Sequence, residues 1–155
     1  MYIDIDDNLV VAKGVWKFEW FDGDVQDEAH KLGEFEQTNL ITTVGKQLVL
    51  DRLFGLSSAA NLTGMAIGTS ASTAAIGDTA ITGAVFKVFD PTPTRTALVV
   101  TCQTTYGTAE GNINIQEVGL LTASGGVLFN RLAPVGPFNK TSAVYLRITV
   151  TITQV

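Results

Sequence analysis

Alternating apolar and polar residues near the C-terminal end of the chain predict a half-buried β-strand. From Val144 to Ile152 every second residue is apolar, and Thr, Tyr or Arg occupies each position between them. A period of two places the apolar side chains on one face of a strand and the polar ones on the other. The same alternation occurs at 97–106 and at 16–20. The pattern therefore predicts several strands that each have one buried face.

The segment 112–131 predicts a hairpin whose first strand is irregular. The apolar residues before Gln116 share one phase of the alternation, whereas those after Glu117 share the other. One extra residue in a strand, a β-bulge, shifts the phase in this way. We therefore predict a structural bulge at Gln116 and Glu117, followed by a glycine-containing turn at 124–126 and a returning strand.

Glu117 is a lone carboxylate inside an apolar run. A carboxylate at a bulge can accept hydrogen bonds from backbone N–H groups that the interrupted ladder leaves unpaired. It can also pair with Arg131 on the returning strand. A structural role is therefore the leading interpretation of Glu117, and a catalytic role is the alternative.

One segment, Thr43–Phe54, predicts a helix. Thr42 or Thr43 can accept a hydrogen bond at its N-terminus, and Gly55 can end it in the left-handed conformation. The apolar residues of this segment cover more than one stripe of the helix. A helix of that kind is expected to be buried on several sides.

Together these elements predict an all-β protein, namely an antiparallel β-sandwich with one short helix packed against it. Short predicted strands recur at a spacing of roughly 8–12 residues and are separated by turns rich in Gly and Pro. The chain has 155 residues, which suits one ordinary domain.

The N-terminal segment differs from the rest of the chain in charge. Residues 1–36 hold ten acidic residues and three lysines, a charge of −7, whereas the remainder carries +2. Because 38–155 already contains enough predicted strands for a sandwich, we predict that 1–37 forms an acidic hairpin extension. Its aromatic stripe would then dock a neighbouring subunit or another protein. In the alternative, the stripe completes the sheet of its own domain.

The low charge content predicts a protein that buries surface against other chains. Charged residues make up 16% of the sequence, against about 25% in ordinary soluble domains. We expect a homo-oligomer, a trimer being one candidate, and a monomer with a bland surface is the alternative. No cluster of Lys and Arg is present, which argues against nucleic-acid binding. The predicted interface residues are Trp16, Phe18, Trp20, Phe86 and Phe89.

The sequence offers little that indicates an enzyme, and no cofactor or metal is expected. His30 is the only histidine, and no G-x-S-x-G nucleophile turn occurs. One His and one Cys do not supply the four ligands of a structural zinc site. The acidic run at 4–8 lacks the Gly and Glu that a calcium loop of the EF-hand type requires.

The expected compartment is the cytoplasm of the cell that makes the protein. The first residues are acidic where a signal peptide needs a basic start, and no apolar stretch is long enough for a membrane helix. Cys102 is the only cysteine and lies in an apolar strand, which predicts a buried thiol without a disulfide.

Four short motifs resemble those of small virion proteins encoded by tailed bacteriophages. The similarity extends over most of the chain, although Leu121 replaces a frequent Phe and the segment 133–139 is longer than usual. The matching motifs are Asn39-Leu40-Ile41, Ile67-Gly68-Thr69, Glu117-Val118-Gly119-Leu120, and Lys140-Thr141 with the strand that follows.

The resemblance implies a non-enzymatic structural component of a phage virion, located in the tail, the neck, the baseplate or the capsid decoration. Such a protein would work by self-association and by docking to other virion proteins. A binding module for host-surface glycans or receptors is the alternative, in which Trp16, Trp20 and Tyr106 would stack on sugar rings.

Overall fold

Two large antiparallel sheets and one helix make up most of the described part of the chain. The computed structural model describes residues 13–56, 60–136 and 138–154. In chain order the elements are β1 (Lys13–Asp22), β2 (Lys31–Thr38), β3 (Leu40–Ile41), α1 (Thr43–Phe54), β4 (Gly64–Gly68), β5 (Val85–Val88), β6 (Thr94–Thr96), β7 (Val99–Tyr106), β8 (Asn114–Ile115), β9 (Glu117–Leu121), β10 (Leu128–Leu132), β11 (Phe138–Asn139) and β12 (Val144–Thr153).

The strands form a β-sandwich, as the alternation predicts. Sheet A has the order β2-β1-β12-β7-β6, and sheet B has the order β3-β10-β9-β4-β5. A third, two-stranded sheet pairs β11 with β8. Apolar side chains from both large sheets meet in one core, whose fully buried members include Trp16, Phe18, Met65, Ile67, Tyr106, Val118, Leu120, Leu146, Ile148 and Val150.

The three inner strands of sheet B are buried on both of their faces. Every residue of β4, β9 and β10 is buried. A second apolar cluster of Ala66, Ile81, Leu121 and Leu128 lies apart from the main core. Ile81 belongs to the loop at 69–84 that joins β4 to β5, which we call the covering loop. The continuous apolar run in β9 therefore reflects a strand with two buried faces.

The first strand is an integral part of sheet A. β1 pairs with β12 over its whole length, from Lys13 opposite Thr153 to Asp22 opposite Val144, and β2 pairs with its other edge. The predicted division into an extension at 1–37 and a sandwich at 38–155 is therefore wrong for the described residues, because β1 supplies Trp16 and Phe18 to the main core. The alternative prediction, in which the aromatic stripe completes the sheet of its own domain, agrees with this strand pairing. Residues 1–12 of the predicted extension lie outside the described residues.

The helix α1 has the predicted bounds and caps. The Thr42 side chain accepts a hydrogen bond from Gly45 N at 3.0 Å, and Gly55 ends the helix with a φ of 61°. The expectation that α1 is buried on several sides is wrong, because the helix packs mainly on β10 and only its residues Gly45 and Leu48 are buried. Its outer face is exposed.

Gly45 sets how closely α1 approaches β10. A Cβ atom at this position would lie 2.0 Å from the backbone oxygen of Phe129. Thr42, one turn earlier, donates through its hydroxyl to Leu128 O at 2.6 Å. The start of the helix is therefore seated directly on the backbone of β10.

We expect Gly45→Ala to destabilise the fold by about 2 kcal/mol, because the cost of overpacking exceeds the gain of about 1 kcal/mol in helix propensity. The measurement is the free energy of unfolding in urea. Gly77→Ala is the matched control, since a Cβ there meets no atom within 4 Å. An unchanged or higher stability of Gly45→Ala would show that α1 does not sit on β10 as described.

Candidate functional site

The side chain of Glu117 lies at the centre of a buried polar cluster. One carboxylate oxygen accepts hydrogen bonds from the backbone N–H groups of Ser70, at 3.1 Å, and Thr82, at 2.7 Å. The other accepts from Arg131 Nε at 2.7 Å. The pairing with Arg131 is the one that the sequence predicts. The backbone donors belong to the covering loop and not to an interrupted strand ladder.

Arg131 extends the cluster to a second carboxylate. Its Nη1 donates to Asp78 Oδ2 at 2.8 Å, and its Nη2 donates to Ser72 Oγ at 3.2 Å. A hydrogen bond from the backbone N–H of Ala75, together with Arg131, holds the pKa of Asp78 below its usual value despite the partial burial of the carboxylate. The cluster therefore ties four residues of the covering loop, namely Ser70, Ser72, Asp78 and Thr82, to β9 and β10.

Gln116 lies between β8 and β9. Its N–H donates to Gly68 O at 2.9 Å, and Gly68 is also the residue opposite Glu117 in the ladder between β4 and β9. Two successive residues thus face one residue of the neighbouring strand. Ile115 before Gln116 and Val118 after it both reach the main core, which places the phase slip of the sequence at Gln116 and Glu117.

Gly68 leaves room for this arrangement. A Cβ atom there would lie 2.4 Å from Ile81 Cγ2 and 2.8 Å from Glu117 Oε1. The covering loop and the carboxylate could not both keep their places against a larger residue. The absence of a side chain at Gly68 is therefore what allows the loop to close over sheet B.

The cluster has the chemistry of an anchor. Glu117 is fully buried, Arg131 is 3% exposed, and each is occupied by the other and by the loop. A substrate could reach neither group without opening the covering loop. The geometry therefore accounts for Glu117 as a structural carboxylate.

We expect Glu117→Gln to lower the free energy of unfolding by about 3 kcal/mol, because it leaves the buried guanidinium of Arg131 without its closest counter-charge. Hydrogen exchange should also accelerate at the amides of Ser70 and Thr82. Glu36→Gln, which changes an exposed carboxylate on β2, is the control. Unchanged exchange at both loop amides would contradict the anchoring role.

A second carboxylate, Glu19, is enclosed by cations on the outer face of sheet A. Arg147 Nε lies 3.0 Å from one oxygen, and Lys31 Nζ and Lys17 Nζ lie 3.1 Å and 3.4 Å from the other. Burial by itself raises the pKa of Glu19. The hydrogen bonds from Arg147 and Lys31, with the charge of Lys17, outweigh it and hold the pKa at about 2, against the ordinary 4.5.

This shift predicts an acid dependence of stability. Because the folded pKa of Glu19 lies below the unfolded one, its contribution is complete above pH 4.5 and is lost as the pH falls towards 2. We expect Glu19→Gln to cost about 2 kcal/mol at pH 7 and close to nothing near pH 2, as measured by urea unfolding across this range. A cost that stays constant with pH would contradict the assignment, and Glu36→Gln again serves as the control.

Lys140 is a buried amine that holds a loop. It is 1% exposed, and its Nζ donates to Gly107 O at 2.7 Å and to Asn112 Oδ1 at 2.9 Å. Burial lowers the pKa of Lys140 from its usual value. The Lys140-Thr141 motif thus anchors the segment that carries the chain from β7 to β8.

The aromatic residues predicted to form an interface do not make a common exposed surface. Trp16 and Phe18 are fully buried, so the prediction that they dock a neighbour is wrong. Trp20 is half-buried and packs on Phe138, with ring centroids 5.1 Å apart. Phe86 packs against the second apolar cluster and Phe89 against the main core.

The expected sugar platform does not form either. Trp16 is fully buried, and Tyr106 is fully buried with its hydroxyl donating to Val85 O at 3.1 Å and Met65 O at 3.3 Å. Of the three rings, only that of Trp20 is partly open to solvent. Stacking of several rings on a glycan would require the core to open.

The remaining sequence candidates have ordinary environments. His30 is exposed, and its Nδ1 lies 2.6 Å from Asp27 Oδ1. Cys102 is buried as predicted, and burial raises the pKa of its thiol to about 11. The described residues contain no group of three or more His, Cys, Asp or Glu side chains that could hold a metal ion. The acidic run at 4–8 lies outside the described residues.

The outer side of α1 is the surface feature that the sequence left unassigned. We call the exposed apolar residues at the end of the helix, Leu50, Leu53, Phe54 and Leu56, the helix surface. Phe54 is 72% exposed and Leu53 is 68% exposed. Beside them lies an open groove of about 250 Å³, lined chiefly by apolar side chains, among them Leu48, Val49, Leu62 and Phe129. The feature of the sequence that could have indicated this surface is the presence of apolar residues on more than one side of the helix.

Comparison with known proteins adds no assignment. No protein-family model, no curated protein and no solved structure matches the chain. Among the described residues, no helix combines the length and the apolar character that crossing a membrane requires.

Proposed function

We propose that this chain is a non-enzymatic structural component of a tailed-phage virion, which acts by self-association and by docking to other virion proteins. The observation that carries the proposal is the helix surface. Four large apolar side chains at the end of α1 are exposed to solvent and belong to neither of the two apolar clusters of the sandwich. Contiguous exposed apolar surface of this kind marks a site of interaction.

The way the protein uses its buried charges supports a structural role. Glu117 and Arg131 fasten the covering loop, Glu19 joins three strands of sheet A through its cations, and Lys140 fastens the segment after β7. Each of these charged side chains makes its hydrogen bonds to other groups of the same chain. The charged groups are thus engaged within the chain, whereas the apolar helix surface is exposed to solvent.

The assignment to a virion is supported by the four motifs that resemble phage structural proteins. In this fold Gly68 and Glu117 lie where the covering loop closes, and Lys140 lies where a second loop is anchored. The Asn39-Leu40-Ile41 motif leads from sheet A through β3 into α1. The motifs therefore fall at positions on which the construction of the sandwich depends. The proposed location is the virion, after synthesis in the host cytoplasm.

We expect the purified protein to form an oligomer that depends on the helix surface. Light scattering coupled to size exclusion should give a mass that is a multiple of 16.5 kDa and that falls towards one chain on dilution. Phe54→Lys should shift the protein to the monomer, because it places a charge in the centre of the apolar contact.

The matched control for this experiment is Leu98→Lys. Leu98 is 65% exposed, similar to Phe54, but lies in the turn between β6 and β7. This variant should keep the mass of the unchanged protein. If Phe54→Lys also keeps that mass, the helix surface does not mediate assembly and the proposed function loses its support.

A further inference from the structure

We infer, independently of the proposed function, that the covering loop is a strap that opens as one unit while the sandwich stays folded, and that its opening exposes the second apolar cluster. The loop runs over 69–84 between β4 and β5 and contains neither a helix nor a strand. Its release therefore breaks no ladder between the strands of either sheet. The inner strands β4, β9 and β10 keep their pairing without it.

A single large apolar side chain attaches the covering loop to the sandwich. Ile81 is 7% exposed and lies in the second apolar cluster, whereas Ile76 is 61% exposed. The other attachments are hydrogen bonds, chiefly to the side chains of Glu117 and Arg131. Segments with few buried apolar contacts open at a lower free energy than the core of a protein. The loop therefore has a low cost of opening compared with the sandwich.

Opening the loop leaves neither charge of the buried pair in sheet B without its partner. Glu117 and Arg131 belong to the neighbouring strands β9 and β10, and their contact of 2.7 Å does not involve the loop. This contact can persist when the loop leaves. Because a buried ion pair becomes costly when one partner is removed, the survival of the pair keeps the free energy of opening below that of unfolding.

Hydrogen bonds within the loop favour its movement as one body. Ala75 N donates to Asp78 Oδ2 at 2.7 Å, and Asp78 N donates to Ala75 O at 3.1 Å. At the base of the loop, Thr69 N donates to Thr82 O at 3.0 Å. The carboxylate that faces Arg131 is thus part of a closed turn, so we expect the turn and its attachments to leave sheet B together.

Two adjacent amides mark the boundary of the unit that opens. Thr43 N, at the start of α1, donates to Ile76 O in the covering loop at 2.7 Å. Thr42 N donates instead to Phe129 O in β10 at 3.1 Å. When the loop opens, the amide of Thr43 loses its acceptor, whereas the amide of Thr42 keeps its own. The helix itself therefore stays seated on β10.

The open state exposes a surface that the closed state hides. Ala66, Leu121 and Leu128 pack with Ile81 of the loop, and none of the three is more than 2% exposed. Arg131, which the loop also contacts, lies on the same strand as Leu128. The strap thus controls access to an apolar surface and to the guanidinium group of Arg131.

Thiol labelling tests whether this opening occurs. Ala66→Cys places a thiol in the second apolar cluster, and the native Cys102 in the main core is an internal control. Iodoacetamide in native buffer should alkylate position 66 about tenfold faster than Cys102 or more, because a locally opening segment reacts before the core. The readout is the mass of the two peptides. Equal rates would overturn the inference, since both thiols would then react only through unfolding of the whole sandwich.

Hydrogen exchange on the chain without an added cysteine is the second measurement. Asp78→Asn removes the loop carboxylate that faces Arg131. It should accelerate exchange by about tenfold at the four amides whose hydrogen bonds attach the loop, namely Ser70, Ala74, Thr82 and Thr43. The amide of Thr42 should keep its rate. Asp90→Asn, which changes an exposed aspartate outside the loop, is the matched control and should alter none of these rates.

Circular dichroism should show that every variant keeps its fold. Unchanged exchange at the four amides in Asp78→Asn would overturn the inference. Clearly unequal accelerations among them would show that the loop does not open as one unit. Acceleration at Thr42 that matches the acceleration at Thr43 would show that α1 leaves β10 together with the loop, which contradicts the proposed boundary.

Discussion

The buried contact between Glu117 and Arg131 is the interaction on which sheet B depends. A sheet with two apolar faces needs cover on both sides, and sheet A covers only one. The covering loop covers the other face, although Ile76 and Ile81 are its only large apolar residues and Ile76 is exposed. Two backbone N–H groups, a guanidinium and a second carboxylate on Asp78 hold it in place. The buried polar cluster around Glu117 thus holds the loop that carries Ile81 into the second apolar cluster.

The same principle recurs at the two other buried charges. Glu19 is held by cations from β1, β2 and β12, and Lys140 is held by oxygen atoms of the segment after β7. The fold uses ionised side chains to hold neighbouring strands and loops together. Directed polar contacts therefore fix the loops and strands around the core, and apolar burial stabilises the core itself.

Local pattern was sufficient to predict some elements and insufficient for others. The bounds of α1 and the alternation in β12 follow from capping residues and from period two, which are properties of neighbouring residues. The pairing of β1 with β12 joins opposite ends of the described chain, so the sequence near Trp16 could not show whether its rings face a core or a partner.

The candidate site likewise has some features that the sequence shows and others that it does not. The phase slip at Gln116 was visible in the sequence, and so was the opposite charge of Arg131 on the returning strand. The backbone donors of Ser70 and Thr82 were not, because every residue carries an N–H group and only the path of the chain selects two of them. The exposure of α1 was also mispredicted, since apolar residues around a helix do not reveal how many neighbours the helix has.

The central position of β12 in sheet A affects the order in which the protein can fold during synthesis. Trp16 lies opposite Val150 in the ladder, 134 positions later in the chain. At the usual 5–20 residues per second, the ribosome needs about ten seconds to make the intervening segment. Throughout that time β1 lacks its hydrogen-bonded partner on this edge. The closure of sheet A therefore awaits the last strand to be made.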